Sequence, residues 1–587
     1  MPGIAGFTTG HLDGDEVRRA AQRLAALVTR PGLNRLEGPV VEGGVAALQV
    51  HNGILAGRYP ARSWSRSVWL DGELYDRRPE RTDAEELLAR WVEAGDDWGF
   101  LAGLDGVYAA ALLDDEAQRV HLVGDRLGMR VLFWGVVDGR LAWSSQLGGF
   151  LGIAGFRPQI DHDALPEFFT AGHLLGERTW FSGVQLMAPG TVLTFDLRTG
   201  ELARHRYWWW DHIRPQQGRV DLQEAAREAG RLLQASVTAR SRPDARVGVS
   251  LSGGLDSRAL FAAIPGDRPV PALTFGRPGC VDLRIAGRVA ALRPSEHVVV
   301  PITVRNWLAG RAEAVWWTDG LFNFMSLHGI EAQREYRQLF DIALDGFGGD
   351  LILGGMYLNG ATTFGRFDAA HAAVKLRGAP ELLGDTTPWD GLDKTDYFLV
   401  EQRARRLNNV GTRYLQTYME DRKPFLARDL IEFVYSLPDE VRVKGRLYRA
   451  LLLDTFPRYY RHIAWASTGY PITWPFGARR AWRELRSLEA RLFGRVGTVG
   501  LWGLDLRDYT DYPAWLRQEP GRGFVTAVLE SPDALYPQYT ARDEVIRLWR
   551  AHLDGADNSR EVGLRVTFEL WLQQVFNARF REEETTA

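Results

Sequence analysis

The chain has 587 residues, 45% of them apolar and 25% charged, the composition of an ordinary soluble globular protein with room for more than one domain. With 71 Lys and Arg against 74 Asp and Glu, its net charge is -3, which excludes the global basic field that holds nucleic acid. The single cysteine, Cys280, excludes an intramolecular disulfide framework and a thiolate-rich zinc site.

No basic region followed by an apolar run opens the sequence, and no stretch approaches the roughly 18 apolar residues that a membrane span needs. A cytoplasmic home without membrane contact is therefore expected. In chain order, short apolar runs within 40–52, 67–74 and 107–143 alternate with Gly and Asp turns at the spacing of stacked antiparallel sheets. Helical periodicity interrupts them at 15–28 and at 82–94, where Leu87, Leu88 and Trp91 share a face. Near residue 210 aromatic packing gives way to a polar, Pro-containing stretch, so we expect domains at 1–210 and 211–587.

An amphipathic helix is expected from about 222 to 239. Apolar runs at 247–251, 272–275, 296–300 and 340–344, separated by helical stretches, then predict a doubly wound parallel sheet. From about residue 369 a helical extension is expected to wrap it. Most of the 21 Trp read as aromatic core, the arginines at 479, 480, 483, 486, 491 and 495 as a solvated helix face, and 581–587 as a solvated end.

The strongest local pattern is SGGLDS at 252–257, set between an apolar strand and a helix start. Glycines allow close backbone approach, loop N–H groups and the hydroxyls of Ser252 and Ser257 can donate to phosphate, and a helix N-terminus favours negative charge. The loop lacks the Lys of a Walker-type loop and carries Asp256, a carboxylate compatible with phosphate only through a divalent cation. A second Gly-rich loop, LDGFGGD at 344–350, follows another predicted strand and ends in Asp350. Loops after neighbouring parallel strands meet at the C-terminal edge of the sheet, where open α/β folds bind ligands.

SGGLDS resembles the pyrophosphate loop of the ATP pyrophosphatases, and the rest of the chain resembles their asparagine synthetase branch. MPGIAGF at 1–7, GELYD at 72–76, LDGVYAAALLD at 104–114, DRLGMRVLFWG at 125–135 and TWFSGVQLMAPGT at 179–191 look like the glutaminase half of that family. The resemblance implies an Ntn-hydrolase-like αββα sandwich followed by a synthetase domain related to the adenine nucleotide alpha hydrolases. It implies ATP and Mg²⁺ as cofactors, with Asp256 and Asp350 as metal ligands. Leu251, Ser252, Gly253, Gly254, Asp256, Ser257, Thr274, Phe275 and Gly346 are the implied ATP and pyrophosphate contacts. In active relatives the second residue is a cysteine that becomes N-terminal and attacks glutamine. Pro2 stands there, so glutamine hydrolysis is expected to be absent and the amine to come from the substrate.

YMEDRKPFL at 418–426 looks like the family's E-x-R-x-P-F-L element beside the acyl-adenylate pocket, which makes Glu420 the candidate proton acceptor. Before the G-x-D of the second loop, β-lactam and carbapenam synthetases carry Tyr and asparagine synthetases Glu; Phe347 fits neither. WASTGYP at 465–471 resembles a late element of the lasso-peptide cyclases, which adenylate an Asp or Glu side chain of a precursor core peptide and let its N-terminal amine close an isopeptide ring. Relatives often carry a Lys in that late segment. Ser467 and Thr468 supply none, and Lys444 or Arg446, in RVKGRLYR, is the candidate replacement, Lys444 the preferred one. Lasso pathways also supply a leader peptidase and a leader-binding protein, both expected here as partners.

Overall fold

The computed structural model describes residues 2–54, 59–242, 245–358, 365–378, 380–475, 477–482, 484–485 and 508–581. Arg483, Arg486, Arg491 and Arg495 of the arginine run, and 582–587 of the tail, lie outside these residues.

The first domain stacks two six-stranded antiparallel sheets. Period-two alternation assigns each strand's two faces. On Gly106–Asp114, Ala109, Ala111 and Leu113 fill the core between the sheets, whereas Ala110 and Leu112 face the outer helix. Helix Gly14–Val28 covers one sheet with Val17, Ala20, Ala21, Leu24 and Val28, and its start is fixed by a capping box between Asp13 and Glu16. Helix Asp83–Ala94 covers the other with Leu87, Leu88 and Trp91, capped reciprocally by Thr82 and Glu85. The result is the four-layer αββα sandwich.

The chain leaves this sandwich at strand Leu202–Arg206 and enters the second domain with helix Leu222–Arg240. Five parallel strands follow, ordered Ser295–Pro301, Val270–Gly276, Val247–Ser250, Ile342–Leu344 and Glu420–Arg422. Strand order reverses between Val247–Ser250 and Ile342–Leu344, and that switch point opens a crevice at the carboxyl ends of both.

The fifth strand departs from the sequence expectation. It lies inside the region read as helical, pairing Ile342 with Glu420, Ala343 with Asp421 and Leu344 with Arg422. Three charged residues carry no apolar alternation, so only tertiary pairing defines them as a strand.

The domains share a buried seam built on a π-helical segment, Val400–Asn408, and a 3₁₀ segment, Val410–Thr417. Arg405 donates to the carbonyls of Gly128 (3.1 Å) and Met187, and Arg406 to those of Leu174 (2.9 Å) and Arg178 (2.6 Å). Arg413 pairs with Asp319 at 3.2 Å and donates to the Ser145 carbonyl. All three guanidiniums are buried. A buried charge stripped of its partner costs several kcal/mol, so these bonds hold the first domain firmly against the second.

Candidate active site

The 252–257 loop is held by its own serines. The Ser252 and Ser257 hydroxyls lie 3.0 Å apart, the Ser252 N–H donates to Ser257 Oγ (3.1 Å), and the Gly254 N–H donates to Ser252 Oγ (3.1 Å). Helix Asp256–Ala263 begins directly behind them. Arg258, fully buried, donates to the carbonyls of Gly253 (3.1 Å) and Ala464 (2.9 Å), and the Ala466 N–H donates to the Gly253 carbonyl (3.1 Å). These bonds tie the late WASTGYP segment to the loop. A Cβ at position 253 would stand 2.6 Å from that of Ala466, so glycine is required by the close approach.

Asp350 lies in the first turn of a π-helical segment, Gly349–Leu353, that brings its carboxylate beside Asp256. The Asp350 N–H donates to Asp256 Oδ2 (3.2 Å) and the Tyr448 hydroxyl to Oδ1 (2.6 Å). A Cβ at Gly349 would meet the Asp256 carboxyl at 2.5 Å. Burial, and next the Asp350 carboxylate, push Asp256 up to about 8, and burial raises Asp350 as well. Among the described residues no lysine or arginine pairs with either acid. Two adjacent carboxylates that each resist ionisation fit a hard divalent cation, with phosphate oxygens and water completing its oxygen shell.

A cleft in two lobes surrounds this pair. One lobe, about 490 Å³, is bounded by Leu251, Ser252, Gly254, Thr274, Phe275, Val281 and Tyr509. The other, about 380 Å³, is bounded by Asp256, Ser257, Gly346, Asp350, Asp345, Asp421, Leu415 and Met419. Ser252, Gly254, Phe275 and Ser467 border both. Volumes of this size suit small organic ligands. Thr274 braces the floor, donating to the Leu251 carbonyl (2.7 Å) and bonding His297 Nε2 (2.8 Å).

Eight of the nine expected nucleotide contacts therefore border the cleft. Gly253 does not, because its N–H is taken by Asp282 (2.9 Å) and its carbonyl by Arg258.

Two expectations need correction. Glu420 points away from the cleft into the seam, where Asn52 Nδ2 donates to it at 2.7 Å; burial, opposed by Arg130, leaves its carboxyl raised to about 7. Lys444 is exposed in a left-handed turn (φ 56°) and borders neither lobe. Alternation along Glu420–Arg422 is the reason: Glu420 and Arg422 face the first domain, Arg422 forking onto Glu73, and Asp421 faces the cleft. The cation that reaches this end is Lys423, buried, bonded to Asp421 and 3.8 Å from Asp345. Asp345, Asp421, Lys423 and Tyr448 escape a reading by motif; period two at the E-x-R element is the signal that would have found Asp421.

Fold and loops define a two-domain chain that joins an amidotransferase-type sandwich to an α/β nucleotide-loop domain. Residues 73–208 match the family model described as a glutamine amidotransferase domain, and residues 228–415 match that of asparagine synthase. The chain belongs to the asparagine synthetase B-like family. It is 27% identical over 282 residues to a Mycobacterium bovis protein named as a glutamine-hydrolysing asparagine synthetase, covering 46% of this chain and 43% of the relative. It is 28% identical over 220 residues to Bacillus subtilis asparagine synthetase 2, covering 33% and 29%. The chain thus spans less than half the length of these curated relatives. A solved structure described as the allosteric regulatory enzyme of purine biosynthesis matches 51% of this chain and 80% of its own at 12% identity, with a TM-score of 0.26, too low to carry an argument.

Proposed function

We propose that this chain is an ATP-dependent, AMP-forming amide ligase that cyclises a linear core peptide. It activates an Asp or Glu side-chain carboxylate and joins it to the peptide's own N-terminal amine. What carries the reading is the Asp256 and Asp350 pair in the smaller lobe, which shares Ser252, Gly254 and Phe275 with the adjoining lobe, so that phosphates on the 252–257 loop and a reacting group beside the two acids have room together. Pro2 offers no thiol. The seam behind the cleft is occupied by Asn52, Glu420, Arg130, Asp71, Glu73 and Arg422, with Arg130 forked onto Asp71. A nucleophile that arrives with the substrate needs no path through that seam.

In this reading the peptide carboxylate attacks the α-phosphorus of ATP and the bond to pyrophosphate breaks. The amine then displaces AMP from the acyl carbon. Ser252 and Ser257 hold phosphate oxygens, and Phe275 with Tyr509, edge-on at 6.3 Å, frames the base. Mg²⁺ held by Asp256 and Asp350 would neutralise charge on the departing pyrophosphate. Holding amine and activated acyl group together supplies the effective molarity that offsets the entropy of ring closure. A leader peptidase and a leader-binding protein are the proposed partners, and the cytoplasm the proposed location.

The relatives are named glutamine-hydrolysing asparagine synthetases, which favours asparagine synthesis as a second reading, ammonia-dependent here because Pro2 offers no thiol; a β-lactam synthetase-like small-molecule ligase is its close variant. Phe347 argues against both. The test is pyrophosphate release with ATP and Mg²⁺, comparing aspartate plus ammonia with linear peptides that carry an Asp or Glu several residues from a free N-terminus. Peptide-dependent release with loss of one water from the peptide mass is the expected result; release with aspartate and ammonia alone would return the chain to the second reading.

A further inference from the structure

The second lobe ends in a group of charged side chains that the nucleotide does not account for. Asp345 follows strand Ile342–Leu344, and Asp421 lies on the neighbouring strand, where Ala343 is its paired residue. Both border the cleft. Lys423, 3% exposed, sits between them, bonded to Asp421 and 3.8 Å from Asp345 Oδ2. Thr412 Oγ1 donates to Asp421 Oδ2 at 3.4 Å.

The two oxygens of Asp345 differ. Oδ1 accepts from the Phe347 N–H at 3.0 Å, whereas Oδ2 is buried without a hydrogen-bond partner. The side chain as a whole is 25% exposed and borders the cleft. Lys423 offsets one of the two carboxylates, so the group retains one negative charge, the complement of one ammonium. Leu415 and Met419 supply an apolar wall for the carbon that bears it. The imidazole that borders this lobe, His328, is already bonded to the Tyr509 hydroxyl at 2.8 Å.

We propose that Asp345 and Asp421 seat the amine nucleophile at this end of the cleft, and that the Asp345 carboxylate takes the proton the nitrogen loses as the amide forms. The proposal rests on the amide-ligase reading above and assigns its proton acceptor. The amine enters as an ammonium and releases one proton to solvent on becoming neutral. Its lone pair then forms the C–N bond, the C–O bond to AMP breaks with its electron pair passing to the phosphate oxygen, and the second proton passes to Asp345. Burial and the Asp421 carboxylate raise Asp345 to about 6, which suits a proton acceptor near neutral pH. Glu420, on the opposite face of the strand, cannot reach the nitrogen.

The test separates the two half-reactions in the full-length protein and its Asp345→Asn and Asp421→Asn variants. Pyrophosphate–ATP exchange with N-acetylated linear peptides reads carboxylate activation without an amine. Cyclisation of the same peptides with a free N-terminus reads amide formation. Trapping with hydroxylamine, a nitrogen nucleophile already neutral at neutral pH, reads acyl transfer that needs no strong base.

Asp345→Asn is expected to slow cyclisation about 100-fold while exchange and hydroxamate formation persist, which also shows that the variant folds. Asp421→Asn is expected to raise the KM of the free-amine peptide more than it lowers kcat. Equal loss of exchange, trapping and cyclisation in Asp345→Asn would overturn the proposal, as would undiminished cyclisation. Absence of exchange in the unaltered protein with every peptide and with aspartate would remove the amide-ligase reading and the proposal together. Exchange with aspartate alone would remove only the peptide substrate, and the Asp345 comparison would be run with ammonia and hydroxylamine on aspartate.

Discussion

The start of the first domain and the 252–257 loop of the second are both places where this family does chemistry, and they are built in opposite ways. Around Pro2 the chain runs straight into the closed strand Gly3–Thr8. The Ile4 N–H donates to Ser145 Oγ at 3.0 Å, and a Cβ on Gly3 would stand 2.4 Å from the Ser145 Cβ. In the cleft, Asp256 and Asp350 crowd each other with no salt bridge to a cation among the described side chains, Arg449 opposing the rise of Asp350 only from a distance, and Asp345 Oδ2 lacks a hydrogen-bond partner. Buried polar groups left unsatisfied cost free energy.

The largest test of this contrast is Asp256→Ala or Asp350→Ala. Each is expected to cut pyrophosphate release by about 1,000-fold with an unchanged circular-dichroism spectrum; residual release near the original rate in either variant would remove the two-carboxylate cation site. Next in size, Arg413→Ala leaves Asp319 buried and unpaired and is expected to cost about 3–5 kcal/mol in denaturant unfolding. Because Thr412 and Leu415 beside it border the cleft, pyrophosphate release should fall with it, whereas the same change at the exposed Arg231 should leave both within error.

A smaller effect concerns pH. With Asp256 raised to about 8, the folded, metal-free protein binds more protons than the unfolded chain at neutral pH. This group's contribution to stability is thus present at acid pH and lost as pH rises toward 8. Mg²⁺ competes with that proton, so it should raise the melting temperature more at pH 8 than at pH 6; an equal rise at both would place the cation elsewhere. Smallest of all, Pro2→Cys is expected to release no glutamate from glutamine. Release at a measurable rate would show that a glutamine pocket persists behind the strand.

Much of this was legible in the sequence, for identifiable reasons. SGGLDS and LDGFGGD announce themselves because glycine, serine and aspartate in those orders serve a close anion approach better than they serve packing. The helices at 15–28 and 82–94 were legible from their period. Glu420 was misplaced because a three-residue strand sets which neighbour faces the cleft, and no run of alternation marks so short an element. Lys444 was misplaced because a lysine in a left-handed turn and one in a site look alike until the turn is seen. Arg405, Arg406 and Arg413 carry no signal in the sequence, because their acceptors include backbone carbonyls some 230 to 280 residues away.

Those carbonyls bear on how the protein is made. Gly128, Leu174 and Ser145 belong to a sandwich that the ribosome completes well before residue 400 is synthesised, and domains generally fold in that order. The π-helical segment therefore emerges onto a surface already shaped to receive its guanidiniums. A synthetase half expressed alone would lose the carbonyl acceptors of Arg405 and Arg406 and expose the seam that the sandwich covers, so its removal is expected to be read first as loss of soluble protein and only afterwards as loss of activity.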